Sequence, residues 1–150
     1  MIINIDEIKQ YLPHREPFLF LDKCEIIEIG KKGIGYRKFL PNEFFFEGHF
    51  PQKPIVPGVI LIEALAQTAG VVVSKGFLNN ENKSVLFMSI SSAKFRKPVI
   101  PNDEITFNVH FLNSVKSVYK FQGEAKKGSV KVCDAIFSAM IIKKKTTEIF

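Results

Sequence analysis

An almost uniformly apolar segment constrains the fold of this chain more than any other feature. It follows Pro57 and Gly58 and reads VILIEALAQTAGVVV, with Glu63 as its only charged residue. The segment is long enough for roughly four helical turns, which exceeds an ordinary strand. A helix that is apolar on all sides must be surrounded by other structure, and this one is too short to cross a bilayer. The sequence therefore predicts a buried core helix between Gly58 and Lys75 and no insertion into a membrane.

The remainder of the chain shows mainly β patterns. A short amphipathic helix is predicted over residues 6–12, with Asp6 as a candidate N-cap and Pro13 at its end. The proline-rich stretch at residues 41–57 is predicted to be irregular. Apolar runs bounded by turn residues predict strands over residues 18–29, 33–40, 85–90, 93–99, 104–112, 117–125 and 130–142.

One buried helix accompanied by consecutive antiparallel strands is an α+β arrangement. The most economical packing is a curved antiparallel sheet wrapped around the helix. The sequence contains no internal repeat and no recognisable linker, so we expect a single domain over residues 1–150. The edge strands and the exposed face of such a sheet favour the pairing of two chains into a dimer.

Charge narrows the choice of partners. The formal net charge is +6 and the sequence pI is near 9.3, values that favour an acidic partner such as nucleic acid, an anionic membrane or an acidic carrier protein. No helix-turn-helix or zinc-ligand spacing accompanies this charge, so nucleic-acid binding rests on charge alone and is the weakest hypothesis. The consecutive lysines Lys143, Lys144 and Lys145 are expected to form a solvated tail.

The cysteines and the N-terminus indicate the compartment. Cys24 and Cys133 lie far apart in apolar stretches and match no metal or redox spacing, so buried free thiols are expected. The N-terminal residues lack a basic region followed by an apolar one, which argues against a signal peptide. Both features are typical of a protein in the reducing cytoplasm.

Residues able to do chemistry concentrate between Phe44 and Gly70, in FFFEGHFPQKPIVPGVILIEALAQTAG. His49 lies in a loop constrained by glycine and proline, and Gly58 opens the apolar helix, where its backbone N–H is among the unpaired donors. Glu63 is surrounded by apolar residues, so it either has a structural hydrogen-bond partner or serves as an acid at a site. Gln67, one turn later on the same face, could orient Glu63 or satisfy buried backbone.

Together these groups supply what β-elimination from a thioester requires. A neutral imidazole suits the base that removes the α-proton. Helix-terminal N–H groups suit the developing oxyanion, because they are fixed and point at the negative charge. A carboxylic acid kept neutral by apolar surroundings can donate a proton to the departing hydroxyl. The residues alone do not distinguish which proton His49 delivers and which Glu63 delivers.

Four segments carry a family resemblance: LPHREPFLFLD at residues 12–22, GHFPQKPIVPGV at 48–59, IEALAQTAG at 62–70 and KFRKPVIPND at 94–103. In these segments the chain closely resembles the FabZ-type β-hydroxyacyl-acyl-carrier-protein dehydratases. The resemblance implies a hot-dog fold and a (3R)-hydroxyacyl-acyl-carrier-protein dehydratase of type II fatty-acid synthesis. The related FabA-type dehydratase/isomerases carry Asp where Glu63 stands, so Glu63 favours the plain dehydratase.

The same resemblance implies that His49 and Glu63 form a dyad contributed by two subunits. A homodimer would be the smallest active unit, commonly assembled into a hexamer as a trimer of dimers. The Gly58 N–H would hold the thioester carbonyl, and Leu86 or Phe87 would gate an apolar acyl tunnel. No metal or bound organic cofactor is implied, because the acyl group arrives on the phosphopantetheine of acyl carrier protein. Whether the product feeds phospholipid or lipid A is left open.

For the other polar residues the sequence supports less specific predictions. His14 and Arg15 belong to the N-terminal motif and are expected to fix that loop rather than to catalyse, and His110 is expected at the surface. The basic residues around the predicted strand at 93–99 either steer an acidic carrier to the tunnel mouth or are ordinary strand-end charges. These residues are Lys94, Arg96 and Lys97.

Two alternative functions remain at this point. A hot-dog thioesterase would attack the thioester carbonyl with activated water and would also place a carboxylate on the helix, but it would leave His49 unexplained. A non-catalytic acyl-thioester-binding module would need neither His49 nor Glu63.

Overall fold

The computed structural model describes residues 1–76 and 83–143, so the predicted tail at Lys144 and Lys145 lies outside the described residues. The chain begins with a short strand and a short helix, and the long helix divides the later strands from the earlier ones. The elements are β1 (Ile2–Asn4), α1 (Ile5–Tyr11), β2 (Lys23–Glu28), β3 (Lys32–Lys38), a 3₁₀ helix (Phe44–Glu47), α2 (Gly58–Lys75), β4 (Lys83–Phe95), β5 (Glu104–Val115), β6 (Val118–Lys127) and β7 (Val130–Lys143).

Within the described residues, seven strands form one antiparallel sheet in the order β1-β2-β3-β5-β6-β7-β4. Tight turns connect β2 to β3 and β6 to β7, with Gly30 and Gly128 at positive φ of 78° and 60°. The chain leaves β3, passes through the irregular 39–57 segment and α2, and returns as β4 at the far edge of the sheet. The predicted α+β architecture is confirmed.

Helix α2 packs against strands β2 to β7, so the sheet surrounds it as the apolar sequence requires. Alternate residues of β5, namely Ile105, Phe107 and Val109, are buried. Within the described residues, α2 is the one helix long and apolar enough to cross a membrane, and 78% of that stretch is buried inside the protein, as expected of a core helix. Every α2 residue from Ile60 to Ser74 is buried except Glu63.

Glycines in the sheet allow α2 to approach the backbone closely. A Cβ added to Gly123 would lie 2.9 Å from Cδ2 of Leu65, and one added to Gly35 would overlap the side chain of Thr68. A larger residue at either position would push the helix away from the sheet.

The structure corrects the predicted N-terminal elements. Helix α1 begins at Ile5, and its N-cap is Asn4, whose side-chain oxygen accepts a hydrogen bond from the N–H of Glu7 at 3.0 Å. The predicted cap Asp6 lies in the first turn instead, where a carboxylate is also favourable. Strand β1 was not predicted, and β2 begins at Lys23 rather than at residue 18, because the backbone of residues 18–20 bonds to a side chain of α2.

The two strands predicted at 85–90 and 93–99 are one continuous strand, β4, so that prediction is wrong. Irregularities in its pairing with β7 occur between Phe87 and Ser89 and between Ile90 and Ser92. Such bulges let one strand continue through the residues between the two predicted segments and bend it around the core. The remaining predicted strands are confirmed with small shifts at their ends, and a 3₁₀ helix lies within the irregular 41–57 segment.

Both cysteines are buried free thiols, as predicted. Burial raises the pKa of the Cys24 thiol to about 12 and that of Cys133 to about 11, and the neighbouring carboxylates Glu25 and Asp134 contribute in the same direction. Both groups are therefore neutral and unreactive at ordinary pH.

Candidate functional site

The loop that carries His49 is held by backbone hydrogen bonds at both of its ends. The N–H of His49 donates to the carbonyl of Phe45 at 3.1 Å, at the end of the 3₁₀ helix. The N–H of Ile55 donates to the carbonyl of His49 at 2.9 Å, and the N–H of Val56 donates to the carbonyl of Val99 at 2.8 Å. These backbone hydrogen bonds hold the loop in place and therefore fix the position of the His49 imidazole.

The hydrogen bond of its ring fixes the tautomer of His49. Its Nδ1 lies 2.8 Å from the carbonyl oxygen of Ile55, and a carbonyl can only accept. Nδ1 therefore carries the hydrogen, and in the neutral ring Nε2 keeps its lone pair. The ring of Phe50 stacks on the imidazole with centroids 4.2 Å apart. In this tautomer Nε2 of His49 is an acceptor.

A mainly apolar cleft of about 390 Å³ opens beside His49. The N-terminus of α2 contributes Gly58 to its wall, and Pro57, which precedes the helix, provides no side-chain cap. The first N–H groups of a helix have no partner within the helix, so a helix end with unpaired donors and positive partial charge lies at the wall of the cleft. A Cβ on Gly58 would lie 2.5 Å from the ring of Phe95, which leaves room for glycine only unless that ring moves.

Glu63 is held by the buried amide of Gln67. Oε2 of Glu63 accepts a hydrogen bond from Nε2 of Gln67 at 2.9 Å. The amide of Gln67 also donates to the carbonyl of Phe18 at 2.9 Å and accepts from the N–H of Phe20 at 2.8 Å. Gln67 therefore both contacts Glu63 and satisfies buried backbone, so the two roles left open by the sequence coexist in the geometry.

His14 is a neighbour of Glu63 that the sequence did not indicate. Its Nε2 lies 3.4 Å from Oε2 of Glu63, and the two side chains are 15% and 18% exposed. The expectation of a loop-fixing role suits Arg15 instead, since its guanidinium donates to the carbonyls of Leu12 and His14 at 2.9 and 2.7 Å. The sequence singled out His14 only as a member of the N-terminal motif. Its contact with Glu63 could not be predicted, because Glu63 lies far along the chain.

The structure does not bring His49 and Glu63 together within one chain. In the part of the chain that the structure describes, no hydrogen bond or ion pair joins them. His49 lines the cleft with Gly58, whereas Glu63 contacts His14 and Gln67.

The predicted basic cluster divides between two environments. Arg96 and Lys97 line the cleft beside His49, whereas Lys94 does not. Nε of Arg96 lies 2.6 Å from a carboxylate oxygen of Asp134, which neutralises part of its charge. All three basic residues are exposed, on β4 or just beyond its end.

The predicted gating residues and His110 do not line the cleft beside His49. Leu86 and Phe87 are 37% and 39% exposed on β4, and His110 is exposed on β5 as predicted. Among residues 1–76 and 83–143, no group of three or more potential metal-ligating side chains occurs.

Comparisons with known proteins agree with this arrangement. A family model described as a FabA-like domain matches residues 12–136. The 3-hydroxyacyl-[acyl-carrier-protein] dehydratase FabZ of Caulobacter vibrioides is 43% identical over 94% of this chain and 89% of its own length. The corresponding protein of Gluconobacter oxydans is 46% identical over 93% of this chain and 83% of its own length.

Among solved structures, the dehydratase heterocomplex ApeI:P from Xenorhabdus doucetiae superposes with a TM-score of 0.73 at 15% identity, covering 94% of this chain and 93% of that one. At this identity the likeness concerns the fold, and it agrees with the hot-dog arrangement of one helix inside a curved sheet. The chain therefore belongs to the FabA-like domain family, in which it is most plainly similar to the FabZ dehydratases.

Proposed function

We propose that this chain eliminates water from (3R)-hydroxyacyl groups on acyl carrier protein and releases trans-2-enoyl-acyl carrier protein. The observation that carries the proposal is the hydrogen bond between Nδ1 of His49 and the carbonyl of Ile55, which leaves Nε2 as a base. The relatives named as FabZ dehydratases favour this function over a thioesterase or a binding module.

The proposed reaction uses three groups: the imidazole of His49, the N–H of Gly58 and the carboxyl group of Glu63. Nε2 of His49 removes the α-proton while the N–H of Gly58 stabilises the negative charge that develops on the thioester oxygen. The C–O bond at the β-carbon then breaks, and Glu63 in its protonated form gives its proton to the departing hydroxyl, which leaves as water. The imidazolium and the carboxylate that remain exchange protons with solvent before the next turnover. This assignment of protons to His49 and Glu63 is part of the proposal.

We further propose that each site closes between two subunits. Within one chain no hydrogen bond or ion pair among the described residues joins the two proposed catalytic residues, and β4 is the last strand of the sheet formed by those residues. Its apolar residues Leu86, Phe87, Met88 and Ile90 are 37–51% exposed, which is typical of a surface covered by a partner. A homodimer would cover this strand and bring His49 of one chain to Glu63 of the other. We expect the dimers to assemble further into a hexamer.

Mixed subunits provide the test of the shared site. Coexpression of His49→Ala with Glu63→Gln gives mixed dimers that contain one intact site and one doubly defective site. We expect about a quarter of wild-type activity per total site after random pairing, although each variant alone is nearly inactive. Mixed dimers that stay as inactive as their parents would place the complete site within one chain. Native mass spectrometry reports dimer or hexamer in the same samples.

The acyl group would arrive on phosphopantetheine, without a metal or a bound cofactor. Arg96 and Lys97 at the cleft are suited to guide an acidic carrier. We expect Lys97→Glu to weaken turnover of carrier-linked substrate and to spare a short thioester mimic. Lys31→Glu, the same charge change on the turn between β2 and β3, serves as the control. Equal losses on both substrates would contradict steering, and inactivation by a chelator would contradict the absence of a metal.

The central experiment follows enoyl formation from a 3-hydroxyacyl thioester. We expect His49→Ala to abolish turnover and Glu63→Gln to reduce it severely, with the fold intact by circular dichroism. Release of free thiol without enoyl product would indicate a thioesterase, and binding without turnover would indicate a binding module. Since Glu63 stands where the isomerases carry Asp, we expect no double-bond isomerisation.

A further inference from the structure

Oε2 of Glu63 lies between two nitrogen atoms. One is Nε2 of Gln67 at 2.9 Å, and the other is Nε2 of His14 at 3.4 Å. The orientation of the Gln67 amide is unambiguous, because its oxygen accepts from the N–H of Phe20 and its nitrogen donates to the carbonyl of Phe18. Gln67 is therefore a donor to Oε2. In the part of the chain that the structure describes, Oε1 makes no hydrogen bond.

The environment of His14 selects its tautomer. Nδ1 of His14 is buried and has no hydrogen-bond partner among the described residues. A hydrogen on Nδ1 would be an orphaned buried donor, which proteins avoid more strictly than an unused acceptor. Nδ1 is therefore bare, and the hydrogen of the neutral ring lies on Nε2, the atom that faces Glu63. In this tautomer His14 presents an N–H toward Glu63.

We propose that His14 is a positioning residue that acts with Gln67 on Oε2 of Glu63, so that the proton given to the departing hydroxyl is held on Oε1. Gln67 donates to Oε2, and Nε2 of His14 lies 3.4 Å from the same oxygen. A proton on Oε2 would oppose the Gln67 donor and the nearby N–H of His14, so the proton is held on Oε1. The inference rests on the proposed function, because it assigns the proton of the same acid.

The geometry also indicates that His14 positions Glu63 and does not relay a proton. A relay needs a second partner on the far side of the imidazole, and Nδ1 is buried without one. His14 itself is fixed through its backbone, since Arg15 donates to the carbonyls of Leu12, His14 and Lys9 at 2.9, 2.7 and 3.1 Å. His14 thus adds direction to Glu63 without exchanging its own proton.

Two features of this arrangement can be measured separately. In ¹⁵N-histidine-labelled protein, the three histidines of the chain give separate ring signals, and His14→Gln and His110→Gln identify two of them by their loss. We expect opposite tautomers at the site, with hydrogen on Nε2 of His14 and on Nδ1 of His49. A hydrogen on Nδ1 of His14, or a doubly protonated ring at pH 7, would overturn the proposal. This measurement requires no turnover, so it stands apart from any failure of the dehydratase assay.

The kinetic arm uses two replacements of His14. His14→Leu removes the donor, and we expect kcat to fall about 10- to 100-fold with KM nearly unchanged, because a misdirected acid slows the chemical step only. His14→Gln presents a donor at a similar reach and should recover most of the loss. His110→Leu is the control and should match the wild type. An unchanged kcat in His14→Leu, a loss carried by KM, or no recovery in His14→Gln would each refute positioning.

Discussion

Replacing Gln67 with leucine tests whether one buried amide organises both the site and the segment that precedes β2. Gln67 is fully buried and forms three hydrogen bonds, to the N–H of Phe20, the carbonyl of Phe18 and the carboxylate of Glu63. Leucine keeps the approximate volume and removes all three. The change therefore separates hydrogen bonding from packing.

The magnitude follows from the partners left behind. The N–H of Phe20 loses its acceptor in a buried location, which costs about 1–3 kcal/mol. The bond to Glu63, which the proposed mechanism needs in its protonated form, contributes about 0.5–1.5 kcal/mol, the range for a hydrogen bond between neutral groups. The carbonyl of Phe18 belongs to an exposed residue and recovers water. Allowing for the added apolar burial of leucine, we expect a net loss of about 2–3 kcal/mol.

Urea unfolding of Gln67→Leu should show a lower midpoint with an unchanged m-value, and Tm should fall by roughly 4–12 °C. Hydrogen exchange should quicken at the amide of Phe20, and kcat should fall because Glu63 loses a donor. Thr68→Val is the matched control: Thr68 is equally buried, but its hydroxyl bonds only to the carbonyl of Ala64 in its own helix. A Gln67→Leu protein within 0.5 kcal/mol of wild type would refute the reasoning.

Two further predictions concern polar groups removed partly or fully from solvent. Nη2 of Arg37 donates to both carboxylate oxygens of the part-buried Glu43 at 2.7 and 2.8 Å. Arg37→Met leaves Glu43 with only its bond from the N–H of Leu40 among the described residues and should cost about 1–3 kcal/mol; adding Glu43→Leu should restore part of that loss in urea unfolding. The raised pKa values of Cys24 and Cys133, about 12 and about 11, mean that the unfolded thiols, at their usual 9.0, ionise first. Stability should therefore be unaffected by these groups below pH 9 and fall as pH rises toward 11–12. Cys24→Ala should flatten this decline, and an identical slope in that variant would contradict the assignment.

Features that depend on local pattern could be predicted from the sequence alone. The all-round apolar segment from Gly58 to Lys75 could only be a wrapped helix, and the alternation along β5 identified the buried face of that strand. The motif residues His49 and Glu63 were predicted as site residues because their type and their setting are both unusual. These signals are local because burial of a face recurs with the period of the helix or strand.

Polar connections between distant segments could be identified only in the folded chain. The bond from Gln67 to Phe20 spans 47 residues, and the contact between His14 and Glu63 joins the N-terminal loop to the second turn of α2. No local pattern encodes such pairs, because their partners depend on where two elements cross. The same reason explains why a strand was predicted to begin at residue 18 rather than at Lys23: the backbone of Phe18 and Phe20 bonds to a helix side chain, and only the assembled core shows which side chain that is.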